Sequence, residues 1–542
     1  MRGVMRRLAV AGMVVLAAGS ARSAAAPRAC GSLVGTRLAD AVVTAATEVA
    51  AGVFTPPADG LPGSPMALPA YCRVQGTARP TADSEIKFEV WLPAAATWNG
   101  KFQQAGNGGY AGSIPASSLA NGLKRGFATA GTDNGHTGMS PVFAAGHPEK
   151  VVDFGHRAVH LTAVHAKVLV ESFYGKAASR SYFVGCSDGG REALMEAQRY
   201  PADFDGIIAG APANNWTRLL TSGVWNWRAL NETAGSAIPV AKLGLIQRAA
   251  AAACDRLDRV ADGLIEDPRI CRFDPAPLQC TGADGADCLT AAQLAALRKI
   301  YQGPRNPRTG EQIYAGAVPG TEAIMGNWHR WVVASPEQPL PFLAWFGTTF
   351  YQSMVFEKPD WDYRTMDFDR DLATAMAKLA PVLDATDSNL GPFRARGGKL
   401  IQYHGWGDAA IPAPGSIEYY EQVLATLGPS VPEFYRLFMV PGMGHCGGGI
   451  GPADFGQNEP SAHAGDPGRD MVAALNRWVE NGVAPEQIIG AGIRPGEPLL
   501  DPAKAAPVSR PLCAYPKVAE YRGTGSTAEA ANYSCRVPAR PH

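Results

Sequence analysis

The stretch SYFVGCSDGGREALMEAQRY, residues 181–200, constrains the fold more than any other part of the chain. Its aromatic and β-branched opening, Tyr182-Phe183-Val184, favours a strand, and Arg191 to Arg199 are mostly good helix formers. Between them, Gly185-Cys186-Ser187-Asp188-Gly189 fits G-x-S-x-G, the sharp strand-to-helix turn that lifts a serine clear of a sheet. Small residues are needed there because the helix starts almost against the strand it leaves. A chain that folds this way must supply further strands beside this one and helices to cover them.

The flanking sequence supplies both. Residues 85–93 (EIKFEVWLP) alternate and predict a strand, 101–112 (KFQQAGNGGYAG) a strand and a glycine-rich loop, and 126–136 (GFATAGTDNGH) a strand ending in a turn. Helical periodicity runs over 153–175 and stops at Gly175. After the serine turn and its helix, 204–212 (FDGIIAGAP) predict the next strand. Strands alternating with helices imply a parallel sheet covered on both faces. The pattern lapses after about residue 213. It returns at 399–411 (KLIQYHGWGDAAI), at 434–446 (FYRLFMVPGMGHC) and in a helix over 470–481. The expectation is an α/β-hydrolase fold with a large inserted lid domain: residues 27–212 and 396–542 form the hydrolase sheet, and 213–395 form the lid. Seven of the eleven tryptophans fall in that lid, Trp216, Trp225, Trp227, Trp328, Trp331, Trp345 and Trp361.

Composition narrows the partners. Lys plus Arg number 49 and Asp plus Glu number 49, so the net charge is +0 and there is no footprint for nucleic acid or a membrane surface. The N-terminus runs from basic MRGVMRR through apolar LAVAGMVVLAA to small-residue GSARSAAA, the layout of a secretory signal peptide over residues 1–26. The mature chain is expected to be exported, with no membrane insertion, to the periplasm or the medium. Ten cysteines then meet an oxidising compartment, and none forms the C-x₂-C doublets of a zinc ribbon. An even count implies a full disulfide set, of which Cys254 with Cys271 and Cys280 with Cys288 are local candidates.

A nucleophilic serine needs a base, and the base needs a carboxylate to orient it. In this fold the chain order is serine, acid, histidine. Asp408 stands just past an apolar strand, and His445 stands in a glycine-flanked loop after the next one. His404 and His136 compete as the base, but His445 both follows the acid and occupies a glycine-flanked loop after a strand. The tetrahedral oxyanion also needs donors. One is the Asp188 N–H, directly after the nucleophile; the other comes from the early glycine-rich loop, at Gly108 or Gly109. If Ser187 and His445 touch, their neighbours Cys186 and Cys446 fall within disulfide reach. Such a bridge would fasten the nucleophile's turn to the loop of the base.

Cys186-Ser187, then Asp408, then His445-Cys446 resembles the signature of the tannase and feruloyl esterase family, which also contains hydrolases of mono(hydroxyethyl) terephthalate. GCSDGGREALMEAQRYPADFDGIIAGAPANNW is similar to that family's nucleophile block, and the resemblance covers nearly the whole mature chain. It implies the Cys186–Cys446 bridge together with Cys30–Cys72, Cys254–Cys271, Cys280–Cys288 and Cys513–Cys535. CDRLDRVADGLIED puts Asp255, Asp258 and Asp262 in one short loop, and clustered carboxylates repel unless a hard cation binds them. The resemblance implies a structural Ca²⁺ in the lid, held by the side chains of Asp255, Asp258 and Asp262 and the backbone carbonyls of Val260 and Leu264. TDNGHTG (132–138) also resembles a family block, without a chemistry attached.

These readings converge on an exported serine carboxylesterase acting on small aryl esters of feruloyl, galloyl or terephthaloyl type. The aromatic lid supplies an acyl pocket, and Arg330 an anchor for an acidic ring substituent. A serine peptidase, a general carboxylesterase and a non-catalytic calcium-dependent binding module are the alternatives. Oligomeric state leaves no signature in the sequence.

Overall fold

The computed structural model describes residues 26–57, 64–496 and 501–538. The signal peptide expected at 1–26 lies outside them save for its last residue. One ten-stranded sheet organises the chain. Its strands are β1 (Arg37–Leu38), β2 (Ala41–Val49), β3 (Tyr71–Ala78), β4 (Ile86–Pro93), β5 (Phe102–Ala105), β6 (Ala128–Thr132), β7 (Ser181–Cys186), β8 (Gly206–Gly210), β9 (Lys399–Gly405) and β10 (Tyr435–Val440). Their order is β1-β2-β3-β4-β6-β5-β7-β8-β9-β10. From β6 to β10 every pairing is parallel. The pairings from β1 to β4, and of β4 with β6, are antiparallel. The parallel sheet implied by the alternation is thus present and is extended by an antiparallel part that the alternation did not display. β2 and β3 are rich in Ala and Thr, and a strand with one half-exposed face leaves only a weak apolar pattern to read.

The period-2 geometry of the central strands sorts the core. Phe183, Ile207 and Leu400 point to one face. There they pack with α2 (Ala158–Tyr174), α3 (Asp188–Arg199) and the helix Pro414–Leu427, and Leu169, Leu194 and Tyr420 join the same core. Their neighbours Tyr182, Ile208 and Ile401 point the other way, onto Leu475 and Trp478 of the helix Met471–Asn481. The helix α1 (Ala116–Lys124) covers Trp91 on that side with Leu119 and Leu123.

The helix expected over 153–175 is divided. A π-turn occupies Asp153–Arg157 and α2 follows it. A π-turn frees backbone carbonyls, and the buried Arg191 takes those of Phe154 and Gly155. Between β8 and β9 the described chain is helical, with no strand of the main sheet. Two of its helices, α4 (Trp216–Asn231) and α5 (Phe342–Phe350), share a core with Tyr110 and Phe154 of the sheet part: Trp216, Leu220, Phe350 and Tyr351 all contribute. That core lies beside the turn carrying Ser187. Among the described residues, no helix is long and apolar enough to cross a membrane.

Candidate active site

Ser187 has φ 66° and ψ −121°, a backbone strain that a non-glycine residue adopts only when its surroundings enforce it. Here they do. Ser187 N–H donates to the Gly210 carbonyl at 3.0 Å, and the Ser187 carbonyl accepts from Ala213 N–H at 3.0 Å. A Cβ on Gly185 would lie 2.4 Å from the Gly189 carbonyl oxygen, and one on Gly190 would lie 2.2 Å from that of Gly210. Glycine is therefore the residue that lets α3 start this close to β7 and β8.

His445 Nε2 lies 2.9 Å from Ser187 Oγ, and its Nδ1 lies 2.8 Å from Asp408 Oδ2. The other oxygen, Asp408 Oδ1, accepts the N–H groups of Ala410 and Ile411 at 2.8 and 2.9 Å. Asp408 is buried. Burial alone would raise its carboxyl, but His445 and His404 outweigh that and hold it well below the usual carboxylate range. The competitors fall elsewhere. His404 sits on Asp408 at 3.2 Å with its other nitrogen on Ser416 Oγ, and His136 bonds the Tyr110 carbonyl. Serine, base and carboxylate thus form one connected chain of the kind that activates a hydroxyl.

Asp188 is the first residue of α3, where an N–H has no intrahelical acceptor. Its carboxyl is turned inward to Arg191 at 2.6 Å, and burial pushes it up. In the glycine-rich loop the Asn107 N–H is taken by Glu192 Oε2 at 2.9 Å. Among the described residues no acceptor engages the N–H of Gly108 or Gly109.

Aromatic rings close the site. Trp331 meets His445 edge-on at 5.1 Å, and Phe346 lies nearly parallel to Trp331 at 6.3 Å and over Gly109. Phe342 and Trp345 flank them. Trp216 and Trp328 are instead fully packed core. Arg330 is exposed, with its guanidinium 5.3 Å from the Phe342 ring centre.

All ten cysteines are bonded, as Cys30–Cys72, Cys186–Cys446, Cys254–Cys271, Cys280–Cys288 and Cys513–Cys535. The acidic loop after Cys254 is a set of tight turns. Asp255 Oδ1 accepts the N–H groups of Asp262 and Gly263, and Asp258 Oδ1 accepts that of Val260. Asp262 gives one oxygen to Leu264 N–H and the other to the buried Arg510, which also holds Glu266. Burial pushes the Asp258 carboxyl up to about 7. The carbonyls of Val260 and Leu264, both buried residues, accept no hydrogen bond among the described residues. Carboxylates with two unmatched carbonyls form a donor set suited to a hard cation. A separate group, His160, Glu196 and Asp203, brings three potential ligand atoms within 4.8 Å of one another at the far end of α3.

Sequence reading missed Glu192, which holds the glycine-rich loop. It named His404 only as a rival base, whereas His404 backs Asp408, and it named Trp331 only among seven tryptophans, whereas Trp331 lies against His445.

With this geometry in hand, comparison with known proteins is specific. The family model for tannase and feruloyl esterase matches residues 72–536. An uncharacterized esterase of Xanthomonas campestris pv. campestris is 43% identical, over 99% of this chain and 95% of that protein. A mono(2-hydroxyethyl) terephthalate hydrolase of Piscinibacter sakaiensis is 35% identical, over 91% of this chain and 88% of its own. The crystal structure of feruloyl esterase B from Aspergillus oryzae superposes with a TM-score of 0.82 at 32% identity, covering 92% of this chain and 98% of that one.

Proposed function

The chain belongs to the tannase and feruloyl esterase family and is a carboxylic ester hydrolase, and from that premise we propose that Ser187, His445 and Asp408 are its catalytic triad. The observation that carries this reading is the continuous contact from Ser187 Oγ through the His445 ring to Asp408. Ser187 Oγ attacks the ester carbonyl as His445 Nε2 takes its proton. Asp408, ionised and fixed by two backbone N–H groups, holds the ring in the tautomer that can accept at Nε2. The tetrahedral oxygen is met by the N–H of Asp188 and of Gly108 or Gly109. His445 then returns the proton to the leaving alcohol. A water deprotonated by the same ring releases the acid.

The acyl group is that of an aromatic acid: feruloyl or another hydroxycinnamoyl, galloyl or terephthaloyl. Support comes from Trp331 and Phe346 beside His445 and Gly109, and from the names of the Piscinibacter and Aspergillus relatives. Residues 213–395 act as a lid that supplies these rings. Asp255, Asp258, Asp262, Val260 and Leu264 hold a calcium ion whose role is to keep the lid's acidic loop folded. The five disulfides and the N-terminal sequence support export.

Replacing Ser187 by Ala tests the triad. The variant should fold with its native melting temperature and lose several orders of magnitude in kcat on methyl ferulate. Retention of most activity would assign the chemistry to another residue.

A further inference from the structure

Glu192 and the block TDNGHTG at 132–138 have no part in the triad, yet the structure gathers both around the loop that carries Gly108 and Gly109. Glu192 is 1% exposed. Its Oε2 accepts the Asn107 N–H at 2.9 Å and its Oε1 accepts Asn134 Nδ2 at 2.8 Å. The Asn107 carbonyl accepts the Gly189 N–H at 2.8 Å. Both peptides of Asn107 are thus pinned to the first turns of α3, the helix that begins at the nucleophile. The 132–138 block grips the same loop from its side. Asn107 Nδ2 donates to the Thr132 carbonyl at 2.9 Å, and His136 Nε2 to the Tyr110 carbonyl at 2.7 Å. Gly112 and Gly138 exchange backbone hydrogen bonds at 2.7 and 3.1 Å.

A buried carboxylate is costly unless donors meet it. Burial, with Asp188 close by, pushes the Glu192 carboxyl up to about 8. A solvent-facing helix glutamate would avoid that cost; here the two hydrogen bonds that Glu192 accepts offset it. We propose that Glu192 is a positioning residue of the oxyanion loop. By fixing the Asn107 peptide against α3, it aims the following N–H groups, Gly108 and Gly109, at the oxygen that becomes negative over Ser187. This rests on the triad reading above. The 132–138 block then serves as the frame on which Glu192 and the loop are set, through Thr132, Asn134 and His136.

The consequence is selective. An oxyanion donor matters more in the transition state than in the ground state, so loosening the loop should lower kcat and spare KM. Glu192→Gln keeps an acceptor for the Asn107 N–H. Asn134 has an unpaired Oδ1 that can turn to meet the new amide. This variant should stay within about threefold of the native kcat on methyl ferulate, whereas Glu192→Leu should lose about ten- to a hundredfold with KM nearly unchanged. Glu192→Asp keeps the carboxyl group but withdraws the acceptor by one methylene, so it should fall with Glu192→Leu; if the leucine variant does not fold, the aspartate variant decides alone. An aryl trifluoromethyl ketone, which forms a tetrahedral adduct on the serine, should bind the impaired variants more weakly by the same factor. The aryl carboxylate product should bind them as before. Native kcat in both Glu192→Leu and Glu192→Asp, or equal losses of ketone and product affinity, would overturn the proposal. Ser187→Ala separates the two readings. Retention of most activity there overturns both, whereas a Ser187→Ala variant that loses several orders of magnitude beside unchanged Glu192 variants overturns only the positioning role.

Discussion

Cys186 and Cys446 are joined with their Cα atoms 5.9 Å apart, each directly beside one partner of the 2.9 Å contact between Ser187 and His445. The bridge closes 260 residues of chain, whereas Cys280–Cys288 closes 8. It therefore ties the turn after β7 to the loop after β10 at the point where Ser187 and His445 meet. Cys446 itself has a φ of 61°, a conformation held by its surroundings.

Removing this bridge should cost rate before it costs folding. A misplacement of about 1 Å between reacting groups can cost about a hundredfold. The double variant Cys186→Ser/Cys446→Ser should thus lose between about ten- and a hundredfold in kcat, and Cys280→Ser/Cys288→Ser no more than about twofold. Steady-state kinetics on a methyl aryl ester, with melting curves for both variants, makes the comparison. Equal losses in the two would show that the Cys186–Cys446 bridge serves stability alone.

Asp408 gives a pH signature. Its folded-state carboxyl is held below the usual range although it is buried, so its ionised form is stabilised by folding. A depressed carboxylate contributes stability that is present above its unfolded value of about 4 and is lost as pH falls through the folded value. The melting-temperature gap between the native protein and Asp408→Asn should accordingly shrink as pH is lowered from about 5 towards about 2. At neutral pH the same variant should lose on the order of 10³–10⁴ in kcat, because the amide no longer fixes the imidazole tautomer. A gap that widens in acid would place the stabilising charge elsewhere.

The contact among Ser187, His445 and Asp408 was legible because each sits in a local context that sequence displays: Ser187 between glycines after an apolar run, Asp408 past another run, His445 beside a cysteine that answers Cys186. The parallel half of the sheet was legible for the same reason, since strands such as Gly206–Gly210 are buried on both faces and read as continuous apolar runs. β2 and β3 were not, because small and polar residues fill a half-exposed strand. Glu192 was invisible for a different cause. A glutamate in a helix is by default a solvent-facing helix former, and only the approach of Asn107 and Asn134 in three dimensions reveals it as buried. The tryptophans between β8 and β9 show the same limit: Trp328 in the core and Trp331 against His445 lie three residues apart, and neither position announces which it is.

Calcium should stabilise the fold without entering the reaction. The acidic loop is cross-linked by Cys254–Cys271 and tied to the C-terminal part through Arg510, Asp262 and Glu266. A cation held there would thus brace both regions. A ligand bound by the folded state alone raises stability by RT ln(1 + [L]/Kd), about 2.7 kcal/mol at a hundredfold excess over Kd. Chelator should lower the melting temperature, added Ca²⁺ should restore it, and kcat below the transition should hold within about twofold throughout. An unchanged melting curve, with no calcium found by metal analysis of the purified protein, would remove the ion from the description.

Substrate choice should follow the rings around His445. Trp331 and the His445 imidazole lie edge to face, and Phe346 lies nearly parallel to Trp331 while resting over Gly109, so an acyl group beside Ser187 and His445 has aromatic rings for neighbours. A flat conjugated acid can stack on them, with aromatic pairs contributing about 0.5–1.5 kcal/mol beyond the area they bury. A short aliphatic acyl chain gains none of that. Methyl ferulate or methyl gallate should therefore be turned over with higher kcat/KM than ethyl butyrate. Alkyl leaving groups on both sides keep leaving-group reactivity out of the comparison. Phe346→Ala should reduce kcat/KM for the aryl ester by about three- to tenfold, the range those aromatic contacts allow, and leave ethyl butyrate within about twofold. Trp216→Ala, which cuts into packed core, should instead lower the melting temperature and depress both substrates together. If ethyl butyrate proves the better substrate, or Phe346→Ala lowers both esters equally, the rings around the site are packing for the lid and the acyl preference lies with other residues.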